Sequence, residues 1–314
     1  MLVSSGSFQR MVRCMSERSI FSKLVRQDGA LCALYGPYLL QSALQPIFSE
    51  RTDGELQIAA LKGLIRASVN GTPCPPADFF QQVPEDERAA VDGLCRSLHI
   101  LNAGALGRRD AALIINFHAG LYMTPPAIRQ EVEWLRLAAH EAGLPPARIA
   151  CEIREHPHDE PDALAHFAAR LQESGFSIAI DDYTVEDRDL DRLHRLKPQF
   201  VTFDTAWLQG FAENSAGLAL LRVLIGQLAQ RDIRAIVPGI EEPEMIDLCR
   251  DIGGPLMQGY LLARPELAPT SFNIAFPELD DEPAAPAGAP AEAGTIPAET
   301  RSTRRVRQFG RRGV

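Results

Sequence analysis

Short runs of β-branched and other apolar residues alternate with longer amphipathic stretches between about residues 40 and 276. The apolar runs end in polar residues and predict strands over 112–117, 148–153, 177–182, 199–203 and 233–237. The amphipathic stretches predict helices over 126–142, 162–173 and 216–231. Repeated β-α units of this length favour a parallel sheet covered on both faces. An open doubly wound sheet and a closed (β/α)8 barrel both fit this pattern.

The two ends of the chain differ in composition from the middle. Residues 1–30 place apolar side chains at helical spacing beside arginines, which predicts a helical extension that packs on the body or on another copy of the chain. Residues 31–277 are predicted to form the folded domain. Residues 278–314 are rich in Pro and Ala, which predicts a disordered tail. The tail carries an arginine cluster that either contacts an anionic partner or is solvated, formed by Arg301, Arg304, Arg305, Arg307, Arg311 and Arg312.

Charge and composition exclude several classes of protein. The 314 residues carry a net charge of −9, which argues against a DNA-binding protein because phosphate contacts need a basic face. No apolar run approaches the roughly 18 residues of a membrane helix, and the N-terminus lacks the apolar core of a secretory signal. We therefore expect a cytoplasmic protein without a membrane span. The six cysteines include no CxxC pair and are expected to be reduced thiols.

Oxygen-bearing side chains lie at or next to the carboxyl end of three successive predicted strands. They are Asn116, Glu152, Asp181 and Asp182. In a barrel the loops at this end build the active site, and converging carboxylates are how proteins hold hard divalent cations. The alternative is that these residues cap the helices that follow. Capping explains Asp182, but it explains Glu152 poorly because apolar residues precede it and Ile153 follows it.

Eight short motifs follow one another between residues 42 and 265. They are 45–47 (QPI), 62–66 (KGLIR), Asn116, 152–155 (EIRE), 181–183 (DDY), 201–204 (VTFD), 238–242 (PGIEE) and 258–260 (QGY). In type and order they resemble the motifs of the EAL domain family, whose members hydrolyse cyclic di-GMP. The resemblance implies a (β/α)8 barrel of the TIM type whose first strand runs antiparallel to the rest, covering nearly all of the 31–277 domain.

Three positions depart from the pattern of the family, which uses two metal ions, typically Mg or Mn. Lys62 stands at the signature glutamate, Thr202 at the lysine that orients the attacking water, and Pro238 at a glutamate that serves as metal ligand or base. An ammonium has no lone pair and cannot bind a cation. Glu55 lies at an odd offset from Lys62 on the predicted strand and is expected on the opposite face. We therefore predict an inactive domain without a cofactor, in which Asn116, Glu152, Asp181 and Asp182 are a vestigial metal site.

Other positions match the residues with which the family contacts its nucleotide. The resemblance implies ligand contacts from Gln45, Leu64, Arg66, Asn116, Asp181, Glu241 and Gln258. For Arg66, a phosphate contact and an ion pair with Glu152 both remain open. Three hypotheses follow: a cyclic di-GMP receptor, a regulator that binds a protein partner, and an active phosphodiesterase that forms linear pGpG at an atypical site with Mg or Mn. A homodimer is compatible with each of them.

Lys62 should also change the electrostatics of the emptied metal site. Clustered carboxylates without a cation repel one another strongly in a low dielectric. We therefore predict that the Lys62 ammonium forms a salt bridge with Glu152, Asp181 or both, within about 4 Å. The alternative is that Lys62 extends into solvent, while the carboxylates pair with Arg66 or take up protons.

Overall fold

The computed structural model describes residues 24–278 except 123, 155–159 and 213. The strands in this part of the chain are β1 (Leu24–Gln27), β2 (Ala30–Tyr35), β3 (Tyr38–Glu50), β4 (Leu56–Val69), β5 (Thr72–Cys74), β6 (Ala112–His118), β7 (Ile149–Arg154), β8 (Ser177–Tyr183), β9 (Phe200–Phe203), β10 (Arg234–Val237), β11 (Leu256–Met257) and β12 (Glu266–Leu267). Eight of them close into a barrel in the order β3-β11-β10-β9-β8-β7-β6-β4, with β4 pairing back to β3.

Strand β3 runs antiparallel to both of its barrel neighbours, whereas β4 and β6 to β11 are parallel to one another. The predicted barrel with an antiparallel first strand is therefore confirmed, and the open sheet is excluded. The register of β3 against β4 sets Gln45 opposite Lys62. The turn between these long strands contains Glu55, which is exposed and precedes the first residue of β4.

Helices cover the outside of the barrel. They are α1 (Pro76–Gln82), α2 (Glu85–Ala105), α3 (Pro125–Ala142), α4 (Pro161–Glu173), α5 (Asp187–Leu196), α6 (Thr205–Ala212), α7 (Ser215–Ala229), α8 (Pro243–Asp251) and α9 (Phe272–Ala275). The three helices predicted from sequence are present as α3, α4 and α7. Local signals set their limits: Thr124 accepts a hydrogen bond from the Ala127 N–H at the start of α3, and Gly143 ends it at a φ of 65°.

Strand side chains pack on both faces of the barrel wall, as near-continuous apolar strands predict. The inward side chains form a small core of mostly short residues: Ile47, Ala60, Ala112, Ile114, Ala150, Ala179, Phe200, Ile236 and Leu256. The outward side chains form a larger core with the helices, in which the ring of Phe117 lies 5.5 Å from that of Phe167 on α4. Because the inward apolar side chains fill the rest of the barrel interior, inward-facing polar side chains are left to the carboxyl end of the strands.

A second, smaller core lies beside the barrel. The hairpin β1–β2 and the ends of β3 and β4 pack against α1 and α2, with Phe79 fully buried among them. Residues 24–27 lie within the segment 1–30 that the sequence predicts to be helical, and here the prediction is corrected, because they pair as a strand with β2. Residues 1–23 and 279–314, including the arginine cluster, lie outside the described residues. No helix within the described part is long and apolar enough to cross a bilayer.

Candidate functional site

Inward-facing side chains become polar one step beyond the apolar layer of the barrel. Because side chains alternate along a strand, Asn116 and then His118 follow Ile114 on β6, and Glu152 and then Arg154 follow Ala150 on β7. On β4, Lys62 follows Ala60 in the same way. The carboxyl end of the barrel therefore carries two successive polar layers.

Lys62 lies between two of the predicted carboxylates. Its Nζ atom is 3.0 Å from Oε1 of Glu152 and 3.0 Å from Oδ2 of Asp181. The predicted salt bridge is thus confirmed with both partners. Burial lowers the pKa of Lys62, but the two carboxylates raise it more, so that its pKa lies above its ordinary value. The ammonium therefore stays charged and offsets the carboxylates.

The two carboxylates respond differently to this environment. Burial raises the pKa of Glu152 to about 7 although Lys62 opposes it, and in the described part of the chain neither oxygen has a donor in good hydrogen-bond geometry. Burial also acts to raise the pKa of Asp181, but Lys62 lowers it below its ordinary value. Asp181 is also 3.7 Å from Nη2 of Arg154 and accepts a hydrogen bond from the Asp182 N–H at 3.1 Å. Asp181 is consequently the fixed anion of the cluster.

Two further predicted residues are exposed. The backbone of Asp182 has a φ of 54° and its side chain is exposed, unlike the buried Glu152. Burial and the neighbouring Asp181 raise the pKa of Asp182, against Arg154 and Lys62, so Asp182 lies at the exposed edge of the cluster. The left-handed backbone belongs to an irregularity of β8 between Ile180 and Tyr183, and the strand continues to Tyr183, which pairs with Phe203. Glu241 is exposed on the loop after β10 and forms no ion pair within the described residues. Thr202 is buried and Pro238 is half-buried, and neither carries charge.

The arrangement does not fit a divalent cation at the position of Lys62. The ammonium occupies the space between Glu152 and Asp181 and has no lone pair to offer. Over the described ranges, no three His, Cys, Asp or Glu side chains gather into a group that could hold a metal ion. The cluster therefore contains its own cation.

Several predicted ligand contacts line a cavity of about 390 Å³ beside the Lys62 cluster. Leu64, Arg66 and Asn116 border it, together with Arg154. Arg66 donates to the backbone carbonyl of Ile65 at 3.0 Å and, in the described structure, pairs with no carboxylate. Gln45 and Gln258 are buried and hydrogen-bond to each other at 2.9 Å. The cavity thus retains Arg66, the one cation of the predicted set, while Gln45 and Gln258 are hydrogen-bonded to each other and do not line it.

Sequence reasoning missed part of this cavity, which is also lined by His118, Asp92 and Arg96. Nδ1 of His118 is 2.8 Å from Oδ1 of Asp92 on α2, and Arg96 pairs with Asp92 and with Glu131 on α3. The alternation of strand side chains could have found His118 and Arg154, because each lies two residues beyond a predicted site residue. Nothing in the sequence pattern links Asp92 to them.

His99 on α2 also lines the cavity but is occupied in packing. It is buried, which lowers its pKa to about 3, and its Nδ1 hydrogen-bonds with the hydroxyl of Ser42 at 2.8 Å. A Cβ atom at Gly63 would lie 2.6 Å from Cγ of this ring. The position after Lys62 therefore requires glycine, and the imidazole fixes β4 against α2.

The loop after β8 is held by side chains. The buried Asp189 accepts hydrogen bonds from the N–H and the hydroxyl of Thr184 at 2.8 and 2.7 Å, and from Arg192 at 2.9 Å. Within the loop, Val185 has a φ of 65°, which is strained for a β-branched residue. The loop contains no glycine, and polar contacts impose its conformation.

Comparisons with known proteins agree on one family. The EAL domain model matches residues 39–265 of the chain. The cyclic di-GMP phosphodiesterase RocR of Pseudomonas aeruginosa is 25% identical over 195 residues, which cover 61% of this chain and 49% of RocR. An uncharacterised protein of Azorhizobium caulinodans is 24% identical over 262 residues, 82% of this chain and 34% of that protein. The chain thus matches half or less of the length of these relatives.

Solved structures show the same barrel. Klebsiella pneumoniae BlrP1, in a complex with calcium and cyclic di-GMP, superposes with a TM-score of 0.62 at 25% identity, over 73% of this chain and 56% of BlrP1. The MucR phosphodiesterase in its cyclic di-GMP complex has a TM-score of 0.61 at 18% identity, over 84% of this chain and 98% of that one. The second likeness concerns the fold alone.

Proposed function

The chain belongs to the EAL domain family, and from this premise we propose that it is a catalytically inactive member that acts in cyclic di-GMP signalling. Its role is that of a nucleotide receptor or of a regulator that binds a protein partner. The observation that carries the proposal is the Lys62 ammonium, 3.0 Å from both Glu152 and Asp181. Two-metal hydrolysis needs carboxylates that are free to bind metal, and here they are already paired with a cation.

Two other positions support inactivity independently of Lys62. Thr202 and Pro238 have no group that accepts or donates a proton near neutral pH, so neither replaces a general base or a cation. Because these departures lie on β9 and after β10, restoring the residue on β4 alone is not expected to restore activity.

The receptor role is supported by what remains around the cavity. Arg66 and Arg154 are two guanidinium groups at its edge, and neither is fully buried. Arginine binds phosphate oxygens through a planar fork of donors, which makes these side chains suited to a phosphodiester. The cation that a metal would supply is already provided by Lys62, so binding is expected without added metal.

An activity assay tests the first part of the proposal. Purified protein incubated with cyclic di-GMP and Mg or Mn should form no linear pGpG above background, and Lys62→Glu should leave this unchanged. Asp181→Ala is the control, because it removes a carboxylate that any metal-dependent activity would need. Turnover by the wild type that is lost in Asp181→Ala would instead support the alternative, an active phosphodiesterase with an atypical site.

Calorimetry with cyclic di-GMP separates the two inactive roles. For a receptor we expect binding that is the same with and without Mg, and that Arg66→Ala weakens by about 1.5–3 kcal/mol. Gln45→Ala should weaken binding less, because Gln45 is paired with Gln258. Arg129→Ala, at an exposed position on α3, is the matched control. No binding by the wild type would favour the regulator that binds only a protein partner.

A further inference from the structure

The cavity beside the Lys62 cluster contains a histidine that is held by a buried carboxylate. The His118 side chain is 40% exposed, whereas that of Asp92 is 5% exposed. Asp92 is fixed in turn by Arg96 and by the hydroxyl of Tyr122, which donates to Oδ2 at 3.2 Å. The imidazole is therefore oriented by buried groups on the side of the ring that faces α2.

This support determines which ring nitrogen carries the proton. Burial acts to raise the pKa of Asp92, but Arg96 and His118 lower it below its usual value, so the carboxylate is ionised and only accepts hydrogen bonds. Nδ1 of His118, 2.8 Å from Oδ1, must then be the donor. In the neutral ring Nε2 keeps its lone pair, and among the described residues no group hydrogen-bonds to it. The wall of the cavity thus presents a positioned acceptor.

An acceptor at this place selects one part of a nucleotide. Phosphate oxygens are acceptors themselves and are repelled by a lone pair, whereas a guanine edge offers imino and amino donors. The ring of Phe80 lies 5.3 Å from the imidazole and borders the same cavity, so a planar base also has an aromatic surface beside it. Arg66 and Arg154 offer only donors, which suit the phosphate.

We propose that His118 is a specificity-determining residue of the cavity, whose Nε2 accepts a hydrogen bond from the edge of a guanine base while Arg66 and Arg154 hold the attached phosphate. The proposal rests on the receptor role given above and adds to it the residue that recognises the base. Asp92 is the positioning residue, since it fixes the ring through Nδ1 and does not contact the ligand.

Two substitutions at one position separate the two ring nitrogens. His118→Asn keeps a donor for Asp92 but has nothing at the place of Nε2, whereas His118→Gln can place its amide oxygen there. By calorimetry, His118→Asn should bind cyclic di-GMP about tenfold more weakly than the wild type, as expected for one hydrogen bond, and His118→Gln should stay within about threefold. His140→Ala, at an exposed position on α3, should bind as the wild type does.

A second ligand tests the assignment to the base. Cyclic di-AMP has the same phosphodiester ring but lacks the guanine imino donor, so the wild type should prefer cyclic di-GMP and His118→Asn should lose most of this preference. Arg66→Ala should weaken both ligands alike. If His118 had a purely structural role, His118→Asn would leave the preference for cyclic di-GMP unchanged, and His118→Gln would show no recovery of it.

The wild type alone provides a test that does not depend on the variants folding. In the nitrogen-15 spectrum of the histidine side chains, the Nε2 signal of His118 should move when cyclic di-GMP is added. Binding by the wild type together with unchanged affinity in His118→Asn, or with an unmoved Nε2 signal, would overturn this proposal and leave the receptor role standing. No binding by the wild type would overturn both.

Discussion

Two buried cations of this molecule each lie between two carboxylates, yet they are held in different ways. Arg96 on α2 pairs with Asp92 and with Glu131, and its guanidinium lies 3.9 Å above the ring of Phe117. Lys62 pairs with Glu152 and Asp181 inside the barrel, where it has no aromatic neighbour within the described contacts. The first cluster fills the space between helices, and the second fills the end of the barrel.

The chemistry of the two cations explains what each cluster can do. A guanidinium has five donors in a rigid fork, so Arg96 serves Asp92, Glu131 and the hydroxyl of Tyr122 at once. An ammonium has three donors around a point charge, and the oxygens of Glu152 are left without an aligned donor. The Arg96 cluster is closed in the sense that Arg96, Asp92 and Glu131 all have hydrogen-bond partners, although Asp92 and Arg96 line the cavity. The Lys62 cluster has one cation for two carboxylates, and the oxygens of Glu152 remain unused acceptors.

The largest expected effect is the loss of Arg96. Arg96→Ala leaves Asp92 and Glu131 buried without a cation, and we expect it to destabilise the fold by about 5 kcal/mol. Urea unfolding measures the change. Arg250→Ala is the matched control, because Arg250 also pairs with two carboxylates, Glu50 and Asp247, but is exposed, and its loss should destabilise the fold far less. Equal effects for the two arginines would remove the distinction between a closed cluster and a surface pair.

Lys62→Met should lower the free energy of unfolding by less than Arg96→Ala does. We expect about 3 kcal/mol, the lower end of the range for breaking a buried ion pair. The side chain keeps its length, so the loss is of charge, and Arg154 still faces Asp181. Adding Glu152→Gln should recover most of the stability, since it removes the carboxylate that was left unpaired. If the double variant is as unstable as Lys62→Met, packing of the lysine chain holds the site together rather than its charge.

Much of this could be predicted from the sequence, and the exceptions have physical causes. The barrel followed from strand and helix periodicity together with the order of the motifs, and the Lys62 salt bridge followed from placing a cation among convergent carboxylates. The exposed place of Asp182 depends on an irregularity of β8, where its φ is 54°, and strand periodicity carries no information about such a local feature. The Asp92–His118 pair joins a helix to a strand 26 residues away, and side-chain periodicity carries no information about such tertiary contacts.

The dependence of stability on pH tests how the Lys62 cluster differs from the Arg96 cluster. Glu152 has a pKa of about 7 in the folded protein and an ordinary value of 4.5, so the folded state binds more protons between these values. Its contribution to stability is present below about pH 4.5 and is lost as pH rises towards 7, with a slope of at most about 1.4 kcal/mol per pH unit. Glu152→Gln should remove this slope.

The measurement is the difference in unfolding free energy between wild type and Glu152→Gln across this range. Taking the difference cancels His99, whose lowered pKa acts with the opposite sign as pH changes from about 3 to 6.5. A difference that does not change with pH would mean that Lys62 holds Glu152 ionised in the folded protein, and the two clusters would then be electrostatically alike.

Arg154 should give the smallest effect on stability and the clearest separation of structure from binding. Its side chain is 53% exposed and its contact with Asp181 is long, 3.7 Å, so Arg154→Ala should cost about 0.5 kcal/mol in urea unfolding. Because Asp181 keeps Lys62 as a partner, the cluster needs no second cation. The same variant should nevertheless weaken cyclic di-GMP binding about tenfold, the loss expected for a charge-assisted phosphate contact. If Arg154→Ala instead caused a large loss of stability and left the affinity unchanged, Arg154 would be a structural cation of the Lys62 cluster. That cluster would then be closed in the same sense as the Arg96 cluster.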